Sequence, residues 1–155
     1  MTSDLPLVLL LSGPNLQLLG ERQPEVYGSE RLDDHVAAAQ AAAAGHGLAL
    51  EHLQSDSESA LVAAIHGARG RCAAIIINPG AFTHYAWAIH DALAAFAGPV
   101  VELHLSNPLR RESWRHTSVV APVATATIAG LGGAGYRLAV EAVAGLVLEG
   151  DAVSR

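Results

Sequence analysis

The chain has no lysine: its nine basic residues are all arginine, and fifteen carboxylates give it a formal charge of −6. Neutralising nucleic-acid phosphates needs clustered cations, so this balance excludes a nucleic-acid partner. Arginine brings a permanent charge and a planar fork suited to carboxylates, although the lack of lysine and the many alanines also fit a GC-rich genome. A single cysteine, Cys72, excludes an internal disulfide and fits a reducing compartment. It stands beside the apolar "AAIII" and reads as an inert buried thiol. No apolar run approaches the roughly 18 residues needed to span a membrane. Gly, Pro, Asn or His interrupts each one. The opening "MTSDLPLVLLLSGPN" lacks a basic segment before its apolar stretch and carries Asp4 instead, so it reads as a first strand, not a signal peptide. A cytoplasmic protein with no membrane contact is expected.

What remains is organised. At 155 residues the chain is long enough for one well-cored domain, residues 1–155, without linker or repeat. Apolar runs at 5–13, 72–80 and 99–107 read as strands, 48–55 alternates with period two as a strand does, and a shorter β-type stretch lies near 117–122. Helical patterns separate them. One covers 31–47, with Ser29 as cap and Gly45 or Gly47 as stop, and others cover 56–68, 83–98 and 130–148. Strands alternating with helices of this length indicate βαβ units. The expected fold is a flavodoxin-like, doubly wound, five-stranded parallel sheet in a three-layer α/β/α sandwich. In such sheets ligands bind beyond the carboxyl ends of the strands.

The unusual residues fall there. "SGPNLQLLGERQPEVYG" follows the first strand, "NPGAFTHY" the third and "HLSNPLRRESWRH" the fourth. Together they deliver Asn15, Arg22, Tyr27, Asn78, His84, His104, Ser106, Arg111 and Arg115. Singly, each has an ordinary explanation: asparagine is common in turns, and arginines often form a solvated face. His104 interrupts an apolar strand, and Glu102 stands two residues earlier on the same side, where it can orient the imidazole. As a set, these groups suit a small, oxygen-rich carboxylate. A tyrosine and a histidine without a serine or cysteine nucleophile motif suit proton transfer. A phenol titrates near 10 in water, so use as a base near neutrality calls for about 3–4 kcal/mol of phenolate stabilisation. Guanidinium groups in a partly dry site can supply it, which gives Arg22 a reason to share the 21–31 loop with Tyr27.

Two patterns carry less than they suggest. "GLGGAG" at 130–135 matches G-x-G-x-x-G, but the chain ends 20 residues after Gly135. That leaves no room for the βαβ unit that a dinucleotide fingerprint requires, so tight packing of the last helix is the better account. The eight histidines form no H-x-H or H-x-x-x-H pair, and His35, His46, His52 and His66 scatter; no metal and no cofactor is expected. Trp87 reads as core or subunit contact.

Over nearly its whole length the chain resembles the type II dehydroquinases. The resemblance is carried by "GPNLQLLGERQPEVYG", "QSDSES", "INPGAFTHYAWAIHDAL", "VELHLSNPLRRESWRHTS" and "IAGLGGAGYRLA". It implies the fold reached above and dehydration of 3-dehydroquinate to 3-dehydroshikimate, in shikimate synthesis or quinate breakdown, without metal or Schiff base. It further implies a homo-oligomer, a dodecamer of trimers. By the same resemblance Tyr27 is the base at C2, on a mobile loop of about 18–30 hinged at Gly20 and Gly28. Arg22, helped by Arg111, stabilises the phenolate, Asn15 holds a water on the enolate oxygen, and His104 protonates the leaving hydroxyl. Asn78, His84, Leu105, Ser106 and Arg115 hold substrate, and Asp91 reaches a neighbouring subunit's site. Ser12, Gln17, Trp87 and His90 depart from the family pattern. The alternative is a non-catalytic flavodoxin-like binding module, which the absence of a phosphate cradle in the first loop disfavours.

Overall fold

Three leucine-, isoleucine- or valine-rich runs, one alternating run and one short Ala-Thr run pair into a single parallel sheet. A computed structural model describes residues 4–149. The strands are β1 (Leu7–Ser12), β2 (Ala49–Gln54), β3 (Ala74–Asn78), β4 (Val100–His104) and β5 (Ala126–Ala129). The helices are α1 (Pro24–Tyr27, a single turn), α2 (Leu32–Gly45), α3 (Glu58–Ala68), α4 (Trp87–Ala94) and α5 (Ala134–Leu148). The strand order is β2-β1-β3-β4-β5, every pair parallel. This is the doubly wound order expected, and it reverses direction between β1 and β3.

Alternation along the strands builds two cores. Val8, Leu10, Ile76, Val101 and Leu103 pack with Ala39, Tyr136 and Val140 beneath α2 and α5. Leu9, Leu11, Ile75, Ile77 and Val100 pack on the other face with Leu61, Ile65, Ile89 and Leu93 of α3 and α4. Burying β1, β3 and β4 on both faces explains why they read as continuous apolar runs. Among the described residues no helix is long and apolar enough to cross a membrane. Cys72 is half-buried just before β3, where burial pushes its thiol up against the opposing pull of Arg71.

Four boundaries differ from the sequence reading. The fifth strand is at 126–129, not 117–122. The earlier stretch spends its backbone elsewhere: Val119 N–H donates to Thr83 O, Thr117 and Val119 carbonyls accept from His84 and His90, and Ser118 Oγ accepts from Val120 and Ala121. These bonds occupy backbone groups that a ladder would need. Helix α2 is capped by Arg31, not Ser29, and Asp34 Oδ2 accepts from the Arg31 N–H at 3.0 Å. The run from residue 83 opens as a 3-10 turn, Gly80–His84, and turns α-helical at Trp87. Trp87 is 62 % exposed, so the core alternative for it is wrong. The final helix starts at Ala134, after a turn in which Gly130 and Gly132 have positive φ. A Cβ on Gly133 would lie 2.3 Å from His35 Cε1, and one on Gly135 would lie 2.9 Å from Leu103 Cδ1, so these glycines serve packing.

Candidate active site

The turns after β1 and β3 touch beyond the sheet. A Cβ on Gly13 would sit 2.3 Å from the Pro79 carbonyl oxygen, and Gly13 N–H donates to Asn78 O at 2.8 Å. Only glycine allows that approach. The chain then enters the left-handed region at Asn15, φ 68°, where the backbone N–H donates to Asp56 Oδ1 at 3.0 Å. Gln17 and Gln54 donate to the same carboxylate. These donors, led by the Asn15 backbone, hold Asp56 below the usual carboxylate range.

The resulting cavity has a volume of about 200 Å³. Asn15, Arg22 and Tyr27 line it from the first loop, Asn78 and His84 from the third, and His104, Leu105, Ser106, Arg111 and Arg115 from the fourth. Ten of the eleven residues named from the sequence therefore line one cavity. Asp91 is the exception: it is exposed on α4 and does not line its own chain's cavity.

Tyr27 ends α1, and its phenol oxygen accepts from Arg111 Nη1 at 2.7 Å. The same nitrogen reaches Ser106 Oγ at 3.3 Å. The Arg111 and Arg22 guanidinium carbons lie 5.1 and 5.5 Å from the centre of the tyrosine ring. The sequence reading gave Arg22 the leading part; in the structure Arg111 makes the hydrogen bond and Arg22 covers the ring. Neither arginine has a carboxylate partner among the described residues.

Opposite them His104 Nε2 donates to Glu102 Oε2 at 2.6 Å. Glu102 is 1 % exposed, and it also accepts from Thr83 Oγ1 at 2.5 Å and from Ser118 Oγ at 2.9 Å. Burial pushes its carboxyl up, but the His104 contact and the two hydroxyls together outweigh that and leave it below the usual range. With Nε2 committed to Glu102, Nδ1 of His104 is the ring nitrogen free for the cavity. His84 is arranged in the opposite sense: Nδ1–H donates to Thr117 O at 2.7 Å, and burial lowers its pKa. Neutral and with Nδ1 protonated, it offers Nε2 as an acceptor.

Three groups escaped sequence reasoning. Trp114 lines the cavity, edge-on to His84 at 5.3 Å with Arg115 stacked 4.0 Å from its ring centre. A second tryptophan between two arginines was the available signal. Thr83 and Ser118 meet at 2.8 Å under Glu102 although 35 positions separate them, and no local pattern announces that pairing.

These features define an open-sheet α/β protein with a polar, arginine-lined cavity at its topological switch point. The profile of the family described as "Dehydroquinase class II" matches residues 6–144. The chain belongs to that family. It is 50% identical over 144 residues to the "3-dehydroquinate dehydratase 2" of Pseudomonas putida, covering 93% of this chain and 97% of that one. It is 52% identical over 137 residues to the "Catabolic 3-dehydroquinase" of Aspergillus clavatus, covering 88% and 91%. The crystal structure of the type II dehydroquinase from Propionibacterium acnes superposes with a TM-score of 0.86 at 43% identity, over 93% of this chain and 97% of that one.

Proposed function

We propose that this chain removes water from 3-dehydroquinate to give 3-dehydroshikimate, through an enolate, with Tyr27 as base and His104 as acid. The observation that carries the reading is the pairing of an arginine-bound phenol with a carboxylate-backed imidazole across one cavity.

The chemistry divides between the two walls. The C3 ketone acidifies C2, and the Tyr27 phenolate takes that proton while the C–H electrons move onto the ketone oxygen. Arg111 at the phenol oxygen and Arg22 over the ring supply the positive charge that a phenolate needs. Asn15, which lines the cavity, holds a water against the enolate oxygen. As the enolate collapses, the C1–oxygen bond breaks and His104 Nδ1 gives its proton to the departing hydroxyl, which leaves as water. The ring must carry both protons for this, and Glu102 provides the counter-charge. The proton held by Tyr27 then returns to His104, which balances the cycle.

His84 Nε2 accepts from a substrate hydroxyl, while Asn78, Ser106, the backbone at Leu105 and Arg115 hold the remaining hydroxyls and the carboxylate. The 18–30 loop acts as a lid over this site, with Gly20 and Gly28, at φ 89° and 86°, as its pivots. The protein assembles as a dodecamer of trimers, in which exposed Asp91 and Trp87 of α4 meet a neighbouring subunit. The reaction takes place in the cytoplasm.

The test mixes purified protein with 3-dehydroquinate and follows the ultraviolet absorbance of the conjugated enone. Tyr27→Phe should reduce turnover by at least about a thousandfold while substrate still binds. A variant with near wild-type turnover would remove Tyr27 as the base. A flat trace from folded wild type would favour the binding-only module.

A further inference from the structure

A carboxylate without a cation stands beside the cavity. Asp56 follows β2, is exposed and does not line the cavity, and among the described residues no arginine or histidine pairs with it. Its carboxyl lies below the usual range, so near neutrality it offers acceptors only. Unpaired negative charge next to a site suited to an anion is unfavourable unless the carboxylate serves something else.

What it serves is the turn after β1. Asp56 Oδ1 accepts from the Asn15 backbone N–H at 3.0 Å, and Gln17 Nε2 donates to Oδ1 and Oδ2 at 3.1 and 2.8 Å. The Asn15 carbonyl is held as well, accepting from Leu18 N–H at 3.0 Å. Ser55 N–H donates to Ser12 O at 2.9 Å and Gln54 Nε2 to Gly13 O at 3.1 Å, so residues 54–56 grip the turn along its length. Asn15 itself is left-handed, φ 68°, a conformation that asparagine tolerates better than most residues but that is held here from outside. Among the described residues its side-chain amide makes no hydrogen bond, which leaves that amide free for the cavity.

We propose that Asp56 is a positioning residue for the dehydration: it locks the left-handed backbone of Asn15, so that the Asn15 amide is already in place when the enolate forms. This rests on the reading that Asn15 holds a water against the enolate oxygen. A change of φ or ψ at Asn15 swings its Cβ, and an amide that must meet a water at hydrogen-bond distance tolerates little of that. The ketone oxygen gains its charge only as C2 loses its proton, so misplacing the amide weakens the transition state and hardly touches substrate binding. Asp56 is exposed, so water fills the space of a truncated side chain and the fold survives. The loss is the fixed direction of Asn15.

Steady-state kinetics on 3-dehydroquinate with a double-mutant cycle tests this, alongside thermal melts. Asp56→Ala should lower kcat about five- to tenfold, with KM within about twofold and Tm within about 2 °C of wild type. Asp56→Asn keeps an oxygen that accepts from the Asn15 N–H and should recover most of the rate. The discriminating quantity is the cost of Asp56→Ala in an Asn15→Ala background, where no amide remains to be placed; there it should fall below about twofold. An undiminished loss in that background means that Asp56 acts elsewhere and overturns the inference. So does wild-type kcat in Asp56→Ala, or a rise in KM and a fall in Tm that match the loss of kcat. Wild-type kcat in Asn15→Ala removes the amide's part, and the inference with it, while the dehydration stands. A wild type that does not turn over 3-dehydroquinate overturns the proposed function itself.

Discussion

Glu102→Gln isolates charge from shape at the centre of the site. The carboxylate oxygen Oε2 accepts from His104, Thr83 and Ser118, whereas Oε1 meets Ser118 alone, at 3.0 Å. A glutamine can therefore keep its carbonyl oxygen where the load is and turn its NH₂ toward Ser118. What it cannot keep is the counter-charge to a doubly protonated His104. Hydrogen bonds to charged groups are stronger by about 1–2 kcal/mol than neutral ones, and an imidazolium left without its counter-ion adds a comparable loss. About 3 kcal/mol corresponds to roughly a hundredfold fall in kcat. Glu102 does not line the cavity, so KM should move by less than about threefold. Initial rates from enone absorbance over a range of substrate concentrations read both constants. A kcat within about fivefold of wild type would refute the assignment of Glu102 as the support of the acid.

The remaining predictions concern stability and the opposite wall. The Glu102 carboxyl lies below its ordinary 4.5 in the folded chain, so its contribution is complete above that value and is lost as pH falls through the folded one. Urea midpoints from pH 5 to 3 should therefore fall more steeply for wild type than for Glu102→Gln, and parallel curves would contradict this. Arg111→Lys cannot reproduce the fork that reaches Tyr27 and Ser106 together, and kcat should drop about a hundredfold; retention of a third of the rate would sink the role. Gly13→Ala drives a Cβ to 2.3 Å from the Pro79 carbonyl oxygen and should cost about 3 kcal/mol, or about 6–12 °C in Tm; an unchanged melting curve would mean that the two turns separate freely.

The parts of this molecule legible in its sequence are those set by local pattern. Buried strands such as Ala74–Asn78 read as unbroken apolar runs because both faces are covered, and the glycine that closes α2 shows where that helix stops. The His104–Glu102 pair was legible for the same reason, since strand periodicity puts residues two apart on one side. What local pattern does not carry was misread or missed. The 117–122 segment has strand-like composition, but its carbonyls serve two histidines on other elements, and those contacts exist only once α4 is packed. The partnership of Thr83 with Ser118 is set by the same packing. Ser29 looks like a cap, yet the side-chain acceptor for α2 is Asp34, reaching back to the Arg31 N–H.

The division of labour between the arginines follows from where the chain puts them. Arg22 shares the loop after β1 with Tyr27 and lies 5.5 Å from its ring centre. Arg111 is anchored beyond β4, on the segment that continues from His104, and its bond to the phenol is a contact between the first loop and the fourth. In the proposed roles, that bond ties the wall that carries Tyr27 to the segment that continues from His104. Proximity of the two loops in sequence gives no hint of this, since 84 positions separate the partners. It emerges from the strand order, in which β1 and β4 flank β3 and both aim their carboxyl ends at the same crevice. The proposed mechanism, which removes a proton on one side of a small ring and returns one on the other, needs such a fixed span. The sheet order supplies it without demanding that any one segment carry both groups.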